Sequence, residues 1–166
     1  MDTHGAIKFL DKQILNPSLG LPKDVFLFIS RMTPLVNADL LIRDEKGRIL
    51  LSWRDDKFAE KGWHIPGGIV RFKEKLETRI LKVAEKEIGA KVTFNPTPFA
   101  INQVICSHNT RGHFISLLFT CFLPSTYVPK NTGLEKKDNG YLKWHDSCPK
   151  NLVKVHEMYR KYMKSI

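Results

Sequence analysis

Apolar and polar positions along this chain fall into blocks of recognisable period, and the blocks give an element order. Residues 5–15 place apolar side chains at helical intervals and stop at Asn16-Pro17; a second short helix is expected behind Pro22, through "KDVFLFISRM". "TPLVNADLLIRDEKGRILLSWR" reads as two strands, Leu35–Arg43 and Arg48–Arg54, joined at Asp44-Glu45-Lys46-Gly47. "WHIPGG" reads as a short strand ending in a glycine break. Residues 73–88 have helical length and good helix formers, with Gly89 as the stop. "KVTFNPTPFAINQVIC" and "GHFISLLFTCFL" are rich in β-branched and aromatic residues and are expected as strands, as is "GYLKWHD". A basic helix is expected from about Pro149 to Lys164. Strands on both sides of one central helix, without a GxGxxG or Walker sequence, predict a mixed α/β sandwich rather than a Rossmann fold.

One residue breaks the central helix's pattern. At about 100° per residue, counted from Glu74, the apolar Leu76, Ile80, Val83, Ala84 and Ile88 fall between roughly 180° and 320°. Arg79, Lys82, Glu85 and Lys86 fall between roughly 20° and 140°, the expected solvent face. Glu87 lands at roughly 220°, inside the apolar arc. A carboxylate aimed there is costly unless it is paired, hydrogen-bonded or bound to a metal. Either Glu87 turns outward at the helix end or pairs with a buried arginine, or it serves a site beside the glycine pair Gly67-Gly68. A divalent, oxygen-ligated ion bridging carboxylate and phosphate suits the second reading.

Composition narrows the classes. The chain has 166 residues, is 42% hydrophobic and 27% charged, and carries a formal net charge of +10. This is enough for one sizeable core. The apolar runs fall short of a membrane span, and the N-terminus has no continuous hydrophobic stretch of the kind a signal peptide needs. Cys106, Cys121 and Cys148 form no CxxC pair, which suits reduced thiols in a cytoplasmic protein. The positive charge points to an anionic partner. Because lysine and arginine are scattered, without a dense basic tract, a phosphate-bearing small molecule is favoured over nucleic acid.

The segment from Gly68 resembles the Nudix box, G-x5-E-x7-R-E-U-x-E-E-x-G-U, where U is bulky and apolar. Glu74 falls on its first glutamate, Glu87 on its last and Gly89 on its final glycine. Lys82 stands in place of the arginine, Val83 of the next glutamate and Lys86 of the first in the glutamate pair, so one of three metal-binding glutamates is left. The GDP-mannose mannosyl hydrolases are a branch of the family thinned in a similar way. "TPLVNADLLI", with Asp39, resembles that branch's entry strand; "LLSWRDDKFAEKGWHIPGG" matches its spacing from a phosphate-contacting arginine, here Arg54, to the glycine pair; Val155-His156 also looks similar.

The resemblance implies a single domain over 1–166: a helical extension at 1–32, the loop–helix motif at 67–90 and a terminal helix at 149–164. The fold would be a Nudix-type α/β/α sandwich with a mixed sheet. It implies hydrolysis of a nucleoside-diphosphate sugar, GDP-mannose- or GDP-glucose-like, by attack on the glycosyl carbon. Mg²⁺, with Mn²⁺ as substitute, would be held by a carbonyl of Gly67 or Gly68 and by Glu87. Arg54 would hold the diphosphate, with Asp39 near the sugar or leaving group and Lys82 as a further substrate contact. Where the branch has a glutamine and a catalytic histidine, counting back from Trp144 reaches Asp138 and Asn139; asparagine is no base, so Asp138 is the candidate base or metal ligand, unless a gap brings His108 or His113 into play. Each of these carries a plain alternative: Arg54 as a strand-end surface residue, Asp39 facing solvent, Asp138 as a turn residue. Glu74 is expected in structural ion pairs. Ordinary pyrophosphate cleavage and a catalytically silent nucleotide-binding domain are the competing functions, and a homodimer is implied by resemblance alone.

Overall fold

The computed structural model describes residues 2–56 and 60–164. Its order is α1 (Thr3–Gln13), a 3₁₀ turn (Pro17–Leu19), α2 (Lys23–Ser30), β1 (Leu35–Arg43), β2 (Ile49–Arg54), β3 (Gly62–His64), β4 (Gly67–Ile69), α3 (Leu76–Val83), β5 (Thr93–Phe94), β6 (Ala100–Ile105), β7 (His113–Phe122), β8 (Leu142–His145) and a C-terminal 3₁₀ helix (Lys154–Tyr162). The Asp2 side chain caps α1 by accepting from the Gly5 amide at 2.7 Å, yet no residue of α1 is buried.

The centre is the parallel pair β1–β7, in register from Leu35↔Phe114 to Arg43↔Phe122. From Ala38 to Ile42 β1 is buried on both faces, as parallel strands are, with Asp39 the one polar residue of that run. Its even-numbered side chains, Ala38, Leu40 and Ile42, pack with Ile80, Val83, Ala84 and Ile88 of the loop–helix unit. On the other face, Leu41, Ile49, Leu51 and Leu118 pack with Tyr159 and Met163 beneath the C-terminal 3₁₀ helix. This is the expected α/β/α sandwich on a mixed sheet.

On its other side, β1 changes partner. Its C-terminal end meets β2 at Arg43↔Ile49, while Asn37, Ala38 and Asp39 pair antiparallel with Ile69, Gly68 and Gly67 of β4. The glycine pair is thus itself a strand, where the sequence suggested a break. No side chain stands between it and β1, and a Cβ on Gly67 would lie only 2.0 Å from Asp39 Oδ1. The seam where β1 leaves β2 for β4 lies beside the site described below.

Three other elements differ from expectation. Pro96 and Pro98 interrupt the run at 91–106, leaving β5 and β6 as separate strands. The last helix is shorter than 149–164 and of the 3₁₀ form. The central helix begins at Leu76 rather than 73 and is α-helical only to Val83; Ala84–Ile88 form a π turn, closed where the Gly89 amide reaches the Ala84 carbonyl at 3.0 Å with Gly89 left-handed at φ 69°.

Candidate active site

Glu74 and Arg79 build the entrance to the loop–helix unit. The buried Glu74 accepts from Arg79 Nε at 2.8 Å and Nη2 at 2.6 Å, from Lys82 Nζ at 3.0 Å and from the Arg71 amide at 3.1 Å. Burial pushes its pKa up, but the Arg71 amide and the two cations outweigh that, and the net pKa is lowered. Arg79, expected on the solvent face, is only 8% exposed. Helical periodicity assigns arginine outward by type; here its alkyl stem lies along Gly68, where no Cβ obstructs it, and its guanidinium turns in to Glu74. Lys82, expected as a substrate contact, instead reaches Glu74 from outside and does not line the cleft described below.

Glu87 lies in the π turn. The wider turn slows the rotation of side chains about the axis, so Ala84 and Ile88 stay in the core while Glu87 reaches the edge of the glycine strand. Its side chain is 29% exposed and its Oε2 lies 3.9 Å from His64 Nε2. Enclosure by the cleft walls and the nearby charge of Asp39 push its pKa up to about 7, against a smaller opposing pull from the Gly67 amide, Lys86 and Arg54. Among the described residues Glu87 has no close cationic partner.

Asp39 points inward. Its Oδ2 accepts from Ser116 Oγ and from the Tyr159 hydroxyl, each at 2.5 Å, and those two hydroxyls also touch each other. Burial raises its pKa despite these donors. Arg54 ends β2 with Nε on Asp56 at 2.7 Å and faces the same cleft. Residues 57–59, within the expected spacing from Arg54 to the glycine pair, lie outside the described residues.

His64 and His156 complete the polar wall; sequence reasoning noted His156 only as part of a similar "VH" and missed His64. Burial and the charge of Arg54 bring His64 down to about 4; burial, His64 and Arg54 lower His156 as well, so both imidazoles are neutral near pH 7. His156 Nδ1 accepts from the Ile65 amide at 3.1 Å, which places its hydrogen on Nε2, as a donor. The signal that could have found His64 was its position three residues before Gly67, on the short strand beside Arg54.

Asp39, Arg54, Gly67, Gly68 and Glu87 thus converge on one cleft of about 1100 Å³, joined by His64, His156 and Arg111. A side pocket of about 90 Å³ opens off it, sharing Asp39, Arg54, Arg111 and His156 and lined also by His108. Asp138 is not brought to the cleft. Lys137 is left-handed at φ 79°, and the tight turn folds the Asp138 carboxylate back onto the Glu135 amide at 2.8 Å. Its neighbour Asn139 lines the cleft with its amide oxygen accepting from the Asp55 amide at 3.1 Å. His113 sits on β7 with its ring against Gln103.

Known proteins agree with this architecture. The sequence matches no family model. It is 39% identical over 120 residues to the low-salt glycan biosynthesis protein Agl8 of Haloferax volcanii, covering 70% of this chain and 76% of that protein. The structure resembles a MutT Nudix hydrolase from Burkholderia pseudomallei (TM-score 0.59, 22% identity, 78% of this chain and 97% of that one) and a Nudix-family hydrolase from Clostridium perfringens (TM-score 0.58, 18% identity, 79% and 97%). With the box spacing kept from Gly68 to Gly89 and this architecture around it, the chain has the fold of the Nudix hydrolases and belongs to one family with Agl8.

Proposed function

We propose that the protein is a Mg²⁺-dependent hydrolase of a nucleoside-diphosphate sugar, GDP-mannose- or GDP-glucose-like, that cleaves at the glycosyl carbon. The observation that carries this reading is the state of the box glutamates. Glu74 is consumed by Arg79 and Lys82, Val83 and Lys86 offer no carboxylate, and Glu87 alone is left in the cleft with a raised pKa. Among the described residues no group of three His, Cys, Asp or Glu could hold a metal.

The donors present fit one hard cation. Mg²⁺ is commonly held by one or two carboxylates together with substrate phosphates and water, rather than by an all-protein cage. Glu87 would hold it with a carbonyl of Gly67 or Gly68, and Mn²⁺ would serve in its place. When bound, it supplies positive charge that offsets the charge developing on the departing diphosphate. The chain's own groups act alongside. Arg54 faces the diphosphate with a second positive charge. His156 presents its Nε2 hydrogen as a donor. Asp39, held by Ser116 and Tyr159, keeps the floor of the site fixed beneath Gly67. Loss of the multi-carboxylate cluster suits carbon attack, because charge at the leaving group then matters more than activation of a water at phosphorus. A relative named for glycan biosynthesis fits a nucleotide-sugar substrate, since glycans are assembled from activated sugars.

The test is a panel of nucleotide sugars with Mg²⁺ in ¹⁸O-water, with free sugar and phosphate read separately. Label in the released sugar is the expected result. Label in phosphate overturns carbon attack in favour of pyrophosphate cleavage, and binding without turnover identifies a silent domain.

A further inference from the structure

The cleft has two unlike ends. β1 forms its floor with alternate residues Leu35, Asn37 and Asp39, which share one face. From Leu35 to Asp39 the strand runs about 13 Å, at roughly 3.3 Å per residue. The floor therefore grades from an apolar side chain through an amide to the buried carboxylate beside Glu87 and Arg54.

The apolar end is walled by the segment ahead of β1: Leu19, Leu21, Phe26 and Ile29 line the cleft, as does Phe72 from the loop before α3. Leu19 is 72% and Phe72 61% exposed, so this end holds apolar surface that the fold itself does not cover. The wall is fixed to the catalytic half at two points. Gly20, at φ 120°, lets Arg71 lie so close that a Cβ there would sit 2.5 Å from its Nη1. The Arg111 guanidinium lies 5.7 Å from the Phe26 ring and 5.9 Å from that of Phe114 on β7, tying α2 to the sheet while lining the cleft. Between the two ends, Asn37 Oδ1 is buried with no hydrogen-bond partner among the described residues.

We infer that the segment Pro17–Ile29 supplies the nucleoside subsite. The base lies against Leu19, Phe26 and Phe72, and a ribose hydroxyl donates to Asn37 Oδ1. The inference rests on the proposed nucleoside-diphosphate substrate. A ligand anchored by its diphosphate at Arg54 has an apolar, flat component to place, and Leu19, Phe26 and Phe72 give the cleft apolar surface for it. The wall offers surface rather than paired polar groups, so it favours a base over none and discriminates weakly among bases.

Calorimetry of the full chain with Mg²⁺ tests this, using GDP, ADP and inorganic pyrophosphate as probes. Wild type is expected to bind both nucleoside diphosphates at least about tenfold more tightly than pyrophosphate, the scale of one stacked base. Leu19→Ser and Phe72→Ala, both at exposed positions that leave the core intact, are expected to remove most of that difference while pyrophosphate affinity stays within about twofold. Unchanged diphosphate affinity in both variants overturns the subsite and leaves the hydrolase reading standing. So does equal binding of diphosphate and pyrophosphate by a wild type that still releases sugar. A wild type that binds no probe overturns both.

Discussion

The two glutamates at opposite ends of the loop–helix unit met opposite fates. Glu74 is ringed by Arg79, Lys82 and the Arg71 amide, and its pKa is lowered. Glu87 faces a cleft with no close cation among the described residues, and its pKa is raised to about 7. The same residue type is a strut with 4% of its side chain exposed in one case and a cleft-facing carboxylate with 29% exposed in the other. What differs is whether the fold supplies the counter-charge. The Glu74 carboxylate is satisfied within the fold; that of Glu87 is left for the ligand under the proposed function.

The contrast breaks most visibly if the two are exchanged in role. Glu87→Gln is expected to keep the fold and lower kcat/KM with Mg²⁺ by about a thousandfold, on the order of 4 kcal/mol of transition-state stabilisation. Steady-state kinetics on a nucleotide sugar that wild type turns over reads this directly, and near-wild-type activity removes Glu87 from the site. Arg79→Met should do the reverse. It leaves Glu74 buried without its guanidinium and costs about 3 kcal/mol by chemical denaturation; a loss below about 1 kcal/mol means Lys82 alone suffices.

The pH dependence of the metal-free protein separates the pair further. A carboxylate whose folded pKa is raised binds more protons in the folded than the unfolded state, so stability falls as pH rises from about 4.5 to about 7. Glu74, lowered, acts with the opposite sign and below that window: its contribution is present above its unfolded value of 4.5 and lost as pH falls through its folded value. Asp39, also raised, adds to the Glu87 slope, so the informative quantity is the difference between wild type and Glu87→Gln. That difference should reach on the order of 1 kcal/mol between pH 5 and 8, and parallel stability profiles would show that Glu87 is solvated like a surface carboxylate. The smallest effect is expected for Lys82→Met. At 51% side-chain exposure its pair with Glu74 should be worth about 0.5 kcal/mol, with KM unmoved. A raised KM would restore Lys82 as a substrate contact.

The site was legible in part for reasons these residues make concrete. Glu87 stood out because periodicity put a carboxylate in an apolar arc, and Gly67-Gly68 because a glycine pair before a helix permits close approach. Arg79 was misplaced by the same periodicity, which sorts side chains by type and does not register that a long arginine can fold its head back to a buried partner. Asp138 was reached by counting from Trp144, but spacing is silent about the left-handed Lys137 that turns the carboxylate away.

By itself the sequence determined the order of most strands and helices, because hydrophobic period is a local property, and it determined the box spacing; the π turn, the 3₁₀ form of the last helix and the glycine strand were not in it. It also set the scarcity of carboxylates on which the single-metal proposal rests. Only the tertiary structure decided which charges meet. Arg79 finds Glu74, Asp39 finds Ser116 and Tyr159 from far along the chain, and β1 trades β2 for β4 to bring Gly67 over Asp39. These pairings depend on register, on one π turn and on how the segment ahead of β1 folds against the cleft. Distance along the chain carries none of that, because a charge's partner is set by geometry in space.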